Sequence, residues 1–288
     1  MSHTVISCPR YTDGSLRVEA LGRKLNTVFL TLAGLVVLAF LVVPVLIVVP
    51  MSFSASSSLR FPPEGLSFRW YMTVFTDDSW LAAIRTSLVL GVLSSTLALV
   101  LGSLAAYALV RGRYRSRDVL QSNFIAPLII PSVILAVALY LALAAVGMLG
   151  TFMGLLLAHT LLGVPYVVLI MTVAIKTFDV RVEQVAFTLG ASWPTMFIRV
   201  LAPNLLPSAV AAWIFAFVTS FDEVVVTNFI SGAIETVPKK MFNELVLQVN
   251  PTITAIATVL ILISVLLMAF AATLNRSAGK KVAAQQVH

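Results

Sequence analysis

Charge is scarce in this chain. Only 11% of its 288 residues are Asp, Glu, Lys or Arg, against about a quarter in an ordinary soluble domain, which excludes a freely soluble globular fold. Acids are the scarcer sign, 12 against 19 Lys and Arg. The single cysteine, Cys8, excludes an internal disulfide and carries no redox information. A phosphate-cradling G-x-x-x-x-G-K-[ST] loop, a zinc-binding H-E-x-x-H pair and a G-x-S-x-G nucleophile elbow are all missing. No catalytic or metal-ligating residue is therefore assigned, and uphill transport would have to draw on an ion gradient or on a partner that hydrolyses nucleotide. Long polar loops are missing as well. The longest, 50–80 and 176–204, hold about 30 residues each, below the length that usually folds alone.

What the chain has is apolar length, with 59% of its residues hydrophobic. A span of the hydrocarbon core needs about 20 apolar residues. The uncharged runs predict six: 27–49, 86–110, two within the charge-free stretch 119–175 separated by a turn at Gly147-Met148-Leu149-Gly150, then 205–228 and 253–274. The first run begins too late and is too long for a cleaved signal peptide.

Lys and Arg flank these spans unevenly. Arg10, Arg17, Arg23 and Lys24, then Arg111, Arg113, Arg115 and Arg117, then Lys176, Arg181 and Arg199, and finally Arg276, Lys280 and Lys281 fall on one side; Arg60, Arg69, Lys239 and Lys240 fall on the other. The positive-inside rule puts both termini in the cytoplasm. The expected organisation is a cytoplasmic segment 1–26, a membrane domain 27–275 with a core of about 70–275 and an inward loop 177–204, and a tail 276–288. The net charge of +7 is spread over these juxtamembrane sites, so nucleic-acid binding has no patch to rest on. In the outward loop 50–80, Phe68, Trp70 and Tyr71 suit an interfacial anchor or a contact for an outer binding protein.

The inward loop carries "EQVAFTLGASWPTMFIRVLAP", 183–203. Asp179 can cap a short helix on which Val182, Val185, Ala186 and Leu189 form an apolar stripe; Gly190 ends it. Ser192 can cap a second, with Pro194 in its first turn and Phe197, Val200 and Leu201 as its stripe, before Pro203 and Pro207 interrupt. Such helices lie on headgroups or fit a groove on a partner.

This stretch resembles the "EAA" loop of permease subunits of ATP-binding-cassette (ABC) importers: Glu-Ala-Ala, three residues, Gly, nine residues, Ile-x-Leu-Pro. Gln184, Val185 and Ala186 stand at the Glu-Ala-Ala positions, Gly190 at the glycine, and Val200-Leu201-Ala202-Pro203 at the last block, while the acid sits one place early as Glu183. The segment from Trp70 through "SFDEVVVTNFISG" to "VNPTITAIATVLILIS" is similar to the spermidine/putrescine permease branch. The resemblance implies an all-α integral membrane fold with a type I, MetI-like core in a bacterial inner membrane. It implies a coupling loop of Glu183, Gln184, Val185, Ala186, Gly190, Val200 and Pro203 that docks on a cytoplasmic ABC ATPase dimer. ATP and Mg would be bound there and no cofactor by this chain. A second, distinct permease subunit and an outer solute-binding protein complete the implied assembly.

Asp222 and Glu223 are the only acids inside a predicted span. Each costs about 2.5–3.5 kcal/mol at a helix centre, so they are expected to face a protein or water-filled interior. Neighbours on a helix point about 100° apart, so only one of the two can face a cavity squarely; Asp222 is the first choice, and Glu223 stays in the candidate pathway beside it. Trp213, Phe217, Thr219, Ser220, Thr227 and Asn228 share the predicted helix; Trp213, Thr219 and Asn228 complete the candidate pathway. A carboxylate is the simplest complement for a polycation. His159, in the fourth span, is expected to hydrogen-bond a backbone carbonyl or to meet an acid. Three alternatives stay open: an importer for an opine, amino-acid derivative or phosphonate; an ion-coupled secondary transporter driven through Asp222 or Glu223; and a scaffold whose small-residue stretch, Gly91 to Ala106, only packs helices.

Overall fold

A computed structural model describes residues 13–112, 115–247 and 251–285, with side chains from residue 26 to 270, apart from gaps at 113–114 and 247–250, and at Thr273. Cys8, Arg10 and Arg113 lie outside the described residues, as do the side chains of Arg17, Arg23, Lys24, Arg276, Lys280 and Lys281. The chain runs α1 (Asp13–Met51), α2 (Arg69–Thr76), α3 (Asp78–Arg111), α4 (Arg117–Ile129), α5 (Ser132–Ala145), α6 (Phe152–Thr177), α7 (Val180–Thr188), α8 (Trp193–Met196), a π-turn (Phe197–Leu201), α9 (Ala202–Phe221), α10 (Val225–Ile230), α11 (Val237–Leu247) and α12 (Thr252–Gln285). Among the described residues no strand forms.

Among the described residues, five helical stretches are long and apolar enough to cross a membrane: Asn26–Met51, Asp78–Arg111, Phe152–Thr177, Trp193–Phe221 and Thr252–Phe270. The predicted third span takes a different form. It is a pair, α4 and α5, bent by 107°. At about 1.5 Å per residue neither half reaches across about 30 Å of hydrocarbon alone. The break falls at Ile130 and Pro131, both extended (ψ 130 and 133); Pro131 lacks an amide donor and pushes the residue before it out of the α region. Pro127 and Pro165 stay inside α4 and α6. The turn into α6 forms where expected, with Gly147 at φ +70 and Gly150 at φ +73, and Thr151 capping the amide of Gly154 at 3.1 Å.

The core is a three-helix contact of α3, α6 and α9 made close by small side chains. A Cβ placed on Gly102 would come within 2.7 Å of Val167 Cβ, and one on Gly163 within 3.1 Å of Ala98 Cβ and 3.3 Å of Ala216 Cβ. Lipid tails give helices no hydrophobic reason to associate, so close van der Waals packing of this kind has to hold them. The Gly91 to Ala106 stretch thus packs within this bundle, with Gly91 under the Phe217 ring. By contrast, none of the central side chains of the first span is buried; Phe29, Val36 and Phe40 point outward.

The fifth span also departs from expectation. Pro203 and Pro207 do not interrupt it; the helix continues from Trp193 to Phe221. A π-turn upstream accommodates the prolines, with the Ala202 amide donating to Phe197 O, and the Asn204 side chain satisfies Val200 O at 2.7 Å. At the other end the helix stops at Phe221, seven residues short of the predicted limit. Residues 222–224 form a break before the short α10. Sequence patterning missed α11 altogether, and missed that Lys239 is buried: its ammonium donates to Ser231 Oγ (2.8 Å), Gly232 O (2.6 Å) and Ile234 O (3.1 Å), closing the turn after α10.

Candidate functional site

The helix break after Phe221 brings two carboxylates to one place. Asp222 is the C-cap of α9, its amide bonded to Val218 O. The Glu223 carboxylate turns back to accept the Val226 amide at 2.8 Å. Both acids, with Tyr166, Val218 and Thr219, line a cavity of about 260 Å³. The expectation that only one acid could face a cavity presupposed a continuous helix; once the helix ends at Phe221, before both acids, the 100° rule no longer separates them. The free carbonyls at the end of the 20-residue α9 add partial negative charge beside Asp222, which favours a cation there.

Thr219 lines the cavity, its hydroxyl donating to Phe215 O at 2.9 Å. Trp213 lies elsewhere: it stacks on Phe217 at 5.4 Å and donates to Thr96 Oγ1 at 3.1 Å, facing α3. Asn228 is on α10, outside the lining. Tyr166, on α6, belongs to the lining and was missed; a lone tyrosine in a charge-free run gives no signal beyond its place after Pro165.

Behind the break lies a buried hydrogen-bond chain. His159, 1% exposed, contacts Ser220 Oγ through Nδ1 (2.8 Å) and Thr227 Oγ1 through Nε2 (3.0 Å). Ser220 also accepts from Ser94 Oγ at 2.9 Å. Thr227 donates its only proton to Glu223 O at 2.9 Å, so Nε2 must carry the hydrogen that Thr227 accepts, and Nδ1 is left to accept from Ser220. His159 therefore meets the Ser220 and Thr227 hydroxyls and not an acid. The chain ties α3, α6, α9 and α10 together at the break.

At the Arg111 end of α3 lies the α7–α8 loop. Asp179 caps α7, accepting from the Arg181 amide at 2.9 Å. Ser192 stands before α8, but its hydroxyl pairs with Thr195 Oγ1 at 2.8 Å instead of capping an amide. Gly190 leaves the helix at φ +85. The expected stripe divides: Ala186 is buried, while Val182, Val185 and Leu189 are exposed at 43%, 55% and 83%. Val200 packs partly against the core and Pro203 is exposed. The one-place shift of the acid has a structural meaning. Glu183 is 4% exposed and ion-paired to Arg111 at 2.7 Å, whereas Gln184 faces outward.

An all-helical bundle with five or six apolar crossings among the described residues, a broken helix carrying two acids and an elaborated loop between α6 and α9 defines an integral membrane transport component. The chain belongs to the family described as "Binding-protein-dependent transport system inner membrane component", whose sequence profile matches residues 98–280; it is a transport subunit of the inner membrane and not an enzyme. It is 32% identical over 86% of its length, and 92% of the relative's, to the spermidine/putrescine transport system permease protein PotC of Escherichia coli K12. It is 34% identical over 77% of its length, and 82% of the relative's, to the putrescine transport system permease protein PotI of the same strain. Among solved structures it resembles a chain of a bacterial alginate ABC transporter in complex with an alginate-pentasaccharide-bound periplasmic protein, with TM-score 0.65, 15% identity and coverage of 90% and 96%. It also resembles a chain of the MetNI methionine ABC transporter in an inward-facing form, with TM-score 0.53, 17% identity and coverage of 72% and 96%.

Proposed function

We propose that this chain is one permease subunit of an ATP-driven, binding-protein-dependent importer for a polyamine. The observation that carries the reading is the pair Asp222 and Glu223 lining one cavity at the carbonyl end of α9. Two carboxylates and a helix C-terminus suit a flexible chain with amines spaced along it, and the cation-binding capacity of Tyr166 fits the same ligand. The similarity to permeases named for spermidine and putrescine supports that choice.

In this reading both termini and the α7–α8 loop are cytoplasmic. The exposed Val182, Val185 and Leu189 dock in a groove of an ABC ATPase dimer that binds ATP and Mg. A solute-binding protein delivers the ligand from outside, and a second, distinct permease chain supplies the other half of the path. Closure of the ATPases on ATP opens the path outward; hydrolysis resets it inward.

The test is purification from the native host in mild detergent, followed by uptake of labelled spermidine and putrescine in proteoliposomes. Copurification of an ATPase and uptake that requires ATP are expected. Uptake by this chain alone, driven by an ion gradient, would overturn the importer reading, and ATP-dependent uptake of an anionic or neutral solute in place of polyamines would overturn the substrate.

A further inference from the structure

We infer that Arg111 and Tyr107, at the end of α3, form the joint through which movement of α7 reaches the helix bundle. The inference rests on the α7–α8 loop being the ATPase docking segment.

Arg111 and Tyr107 are four residues apart and so share one face of α3. Arg111 Nη2 and Nε reach Glu183 Oε1 at 2.7 and 2.9 Å. Nη2 also donates to Phe178 O at 3.0 Å. Phe178 and Asp179 are the only residues between α6 and α7, and both have extended backbones (ψ 128 and 116). They are the natural hinge for α7, and one guanidinium grips both sides of it: a carbonyl at the end of α6 and a carboxylate in the first turn of α7. Swinging α7 about the hinge would break charge-assisted bonds between a buried carboxylate and a partly buried guanidinium. A rigid, planar fork is needed to hold both partners at once; an ammonium in its place is a single point charge.

Tyr107 extends the grip across the Gly190 turn. Its hydroxyl donates to the other Glu183 oxygen at 3.0 Å. Its ring meets Trp193 and Phe197 edge-on, each at 5.8 Å, and those two rings stack on each other at 5.3 Å. One face of one helical turn therefore holds both halves of the loop. The load passes inward because α3 is packed without slack, with Gly102 against Val167 of α6 and Ala98 against Gly163. Glu183 is turned wholly to this task, leaving the exposed apolar side of α7 for the partner.

The experiment uses the assembled transporter in proteoliposomes and reads solute accumulated per ATP hydrolysed, together with amide hydrogen exchange over residues 180–189. Arg111→Gln is expected to keep the ATPase in the complex, to speed exchange across α7 and to lower the transport ratio by at least about fivefold, the lower end of typical coupling between sites. The exchanged pair Arg111→Glu with Glu183→Arg should recover part of the ratio. Tyr107→Phe, which keeps the ring contacts and loses the phenol bond, should fall between. A wild-type ratio and wild-type exchange in Arg111→Gln would overturn the inference. Should that variant fail to assemble, Arg111→Lys decides: a reduced ratio supports the joint and an unchanged one overturns it. Val185→Arg, on the exposed side of α7, tests the underlying reading separately. An ATPase that still binds Val185→Arg refutes the docking segment and the joint with it. An ATPase released by Val185→Arg, with Arg111→Gln still coupled, refutes the joint alone.

Discussion

Gly190 joins the two halves of the loop, and its replacement makes a graded prediction. The Ala191 amide bonds to Ala186 O at 3.0 Å and the Gly190 amide to Phe187 O at 3.0 Å, the paired bonds of a Schellman motif, with Gly190 left-handed at φ +85. A Cβ added there meets nothing within 4 Å, so packing contributes no penalty. What remains is the backbone cost of an L-residue in the left-handed region, about 1–2 kcal/mol for alanine, more for β-branched valine and less for asparagine. If the turn gives way, Trp193 and Phe197 lose their set against Tyr107. Solute transported per ATP in the reconstituted complex should then fall in the order Asn, Ala, Val, with membrane insertion intact. For alanine a 1–2 kcal/mol penalty corresponds to roughly a 5- to 30-fold loss of the native turn. Valine and asparagine behaving alike, or Gly190→Val transporting as well as wild type, would refute the reasoning that the left-handed turn sets the loop's geometry.

Two further substitutions probe the frame. Asp77 caps α3, accepting from the amides of Ser79 (2.8 Å) and Trp80 (3.2 Å) and from the Ser79 hydroxyl. These bonds, the Ser79 hydroxyl first, hold its carboxyl below the usual range. Asp77→Ala should cost about 1 kcal/mol, measured as a thermal shift in detergent. Because the folded-state value is depressed, that contribution is present above the unfolded value of 3.8 and is lost as pH falls through the folded one; an Asp77→Ala shift that does not shrink as pH is lowered below 3.8 would contradict it. His159→Leu removes both bonds of the buried chain while leaving Thr227 bonded to Glu223 O and Ser220 to Ser94, so it should destabilise by about 1–2 kcal/mol. Its thermal shift should be largely non-additive with Ser220→Ala, since both cut the same chain.

The apolar crossings were legible in the sequence because length and absence of charge report them directly. So were the Asp179 cap and the Gly190 turn, which depend on local backbone chemistry. The failures are long-range. Pro131 announces a kink but not a 107° break, since the angle depends on how α5 packs against α10. Pro203 reads as a helix breaker, and only a π-turn three-dimensionally compatible with its neighbours lets the helix pass. The stop at Phe221 carries no proline or glycine, so Asp222 and Glu223 were assigned to a regular helix and separated by a rotation that does not occur. Glu183 looked like a partner contact because patterning shows a residue's place on a helix and not which body the helix leans on; Arg111, 72 residues earlier, decides that.

The central claim is that Asp222 and Glu223 present a cation site on the transport path. Its most direct test is ATP-dependent uptake of labelled spermidine by the reconstituted complex carrying Asp222→Asn and Glu223→Gln together. Each lost charged partner is worth about 1.5–3 kcal/mol, so uptake at sub-saturating spermidine should fall by about tenfold or more, with the ATPase still bound. Undiminished uptake in the doubly neutral variant would contradict the account.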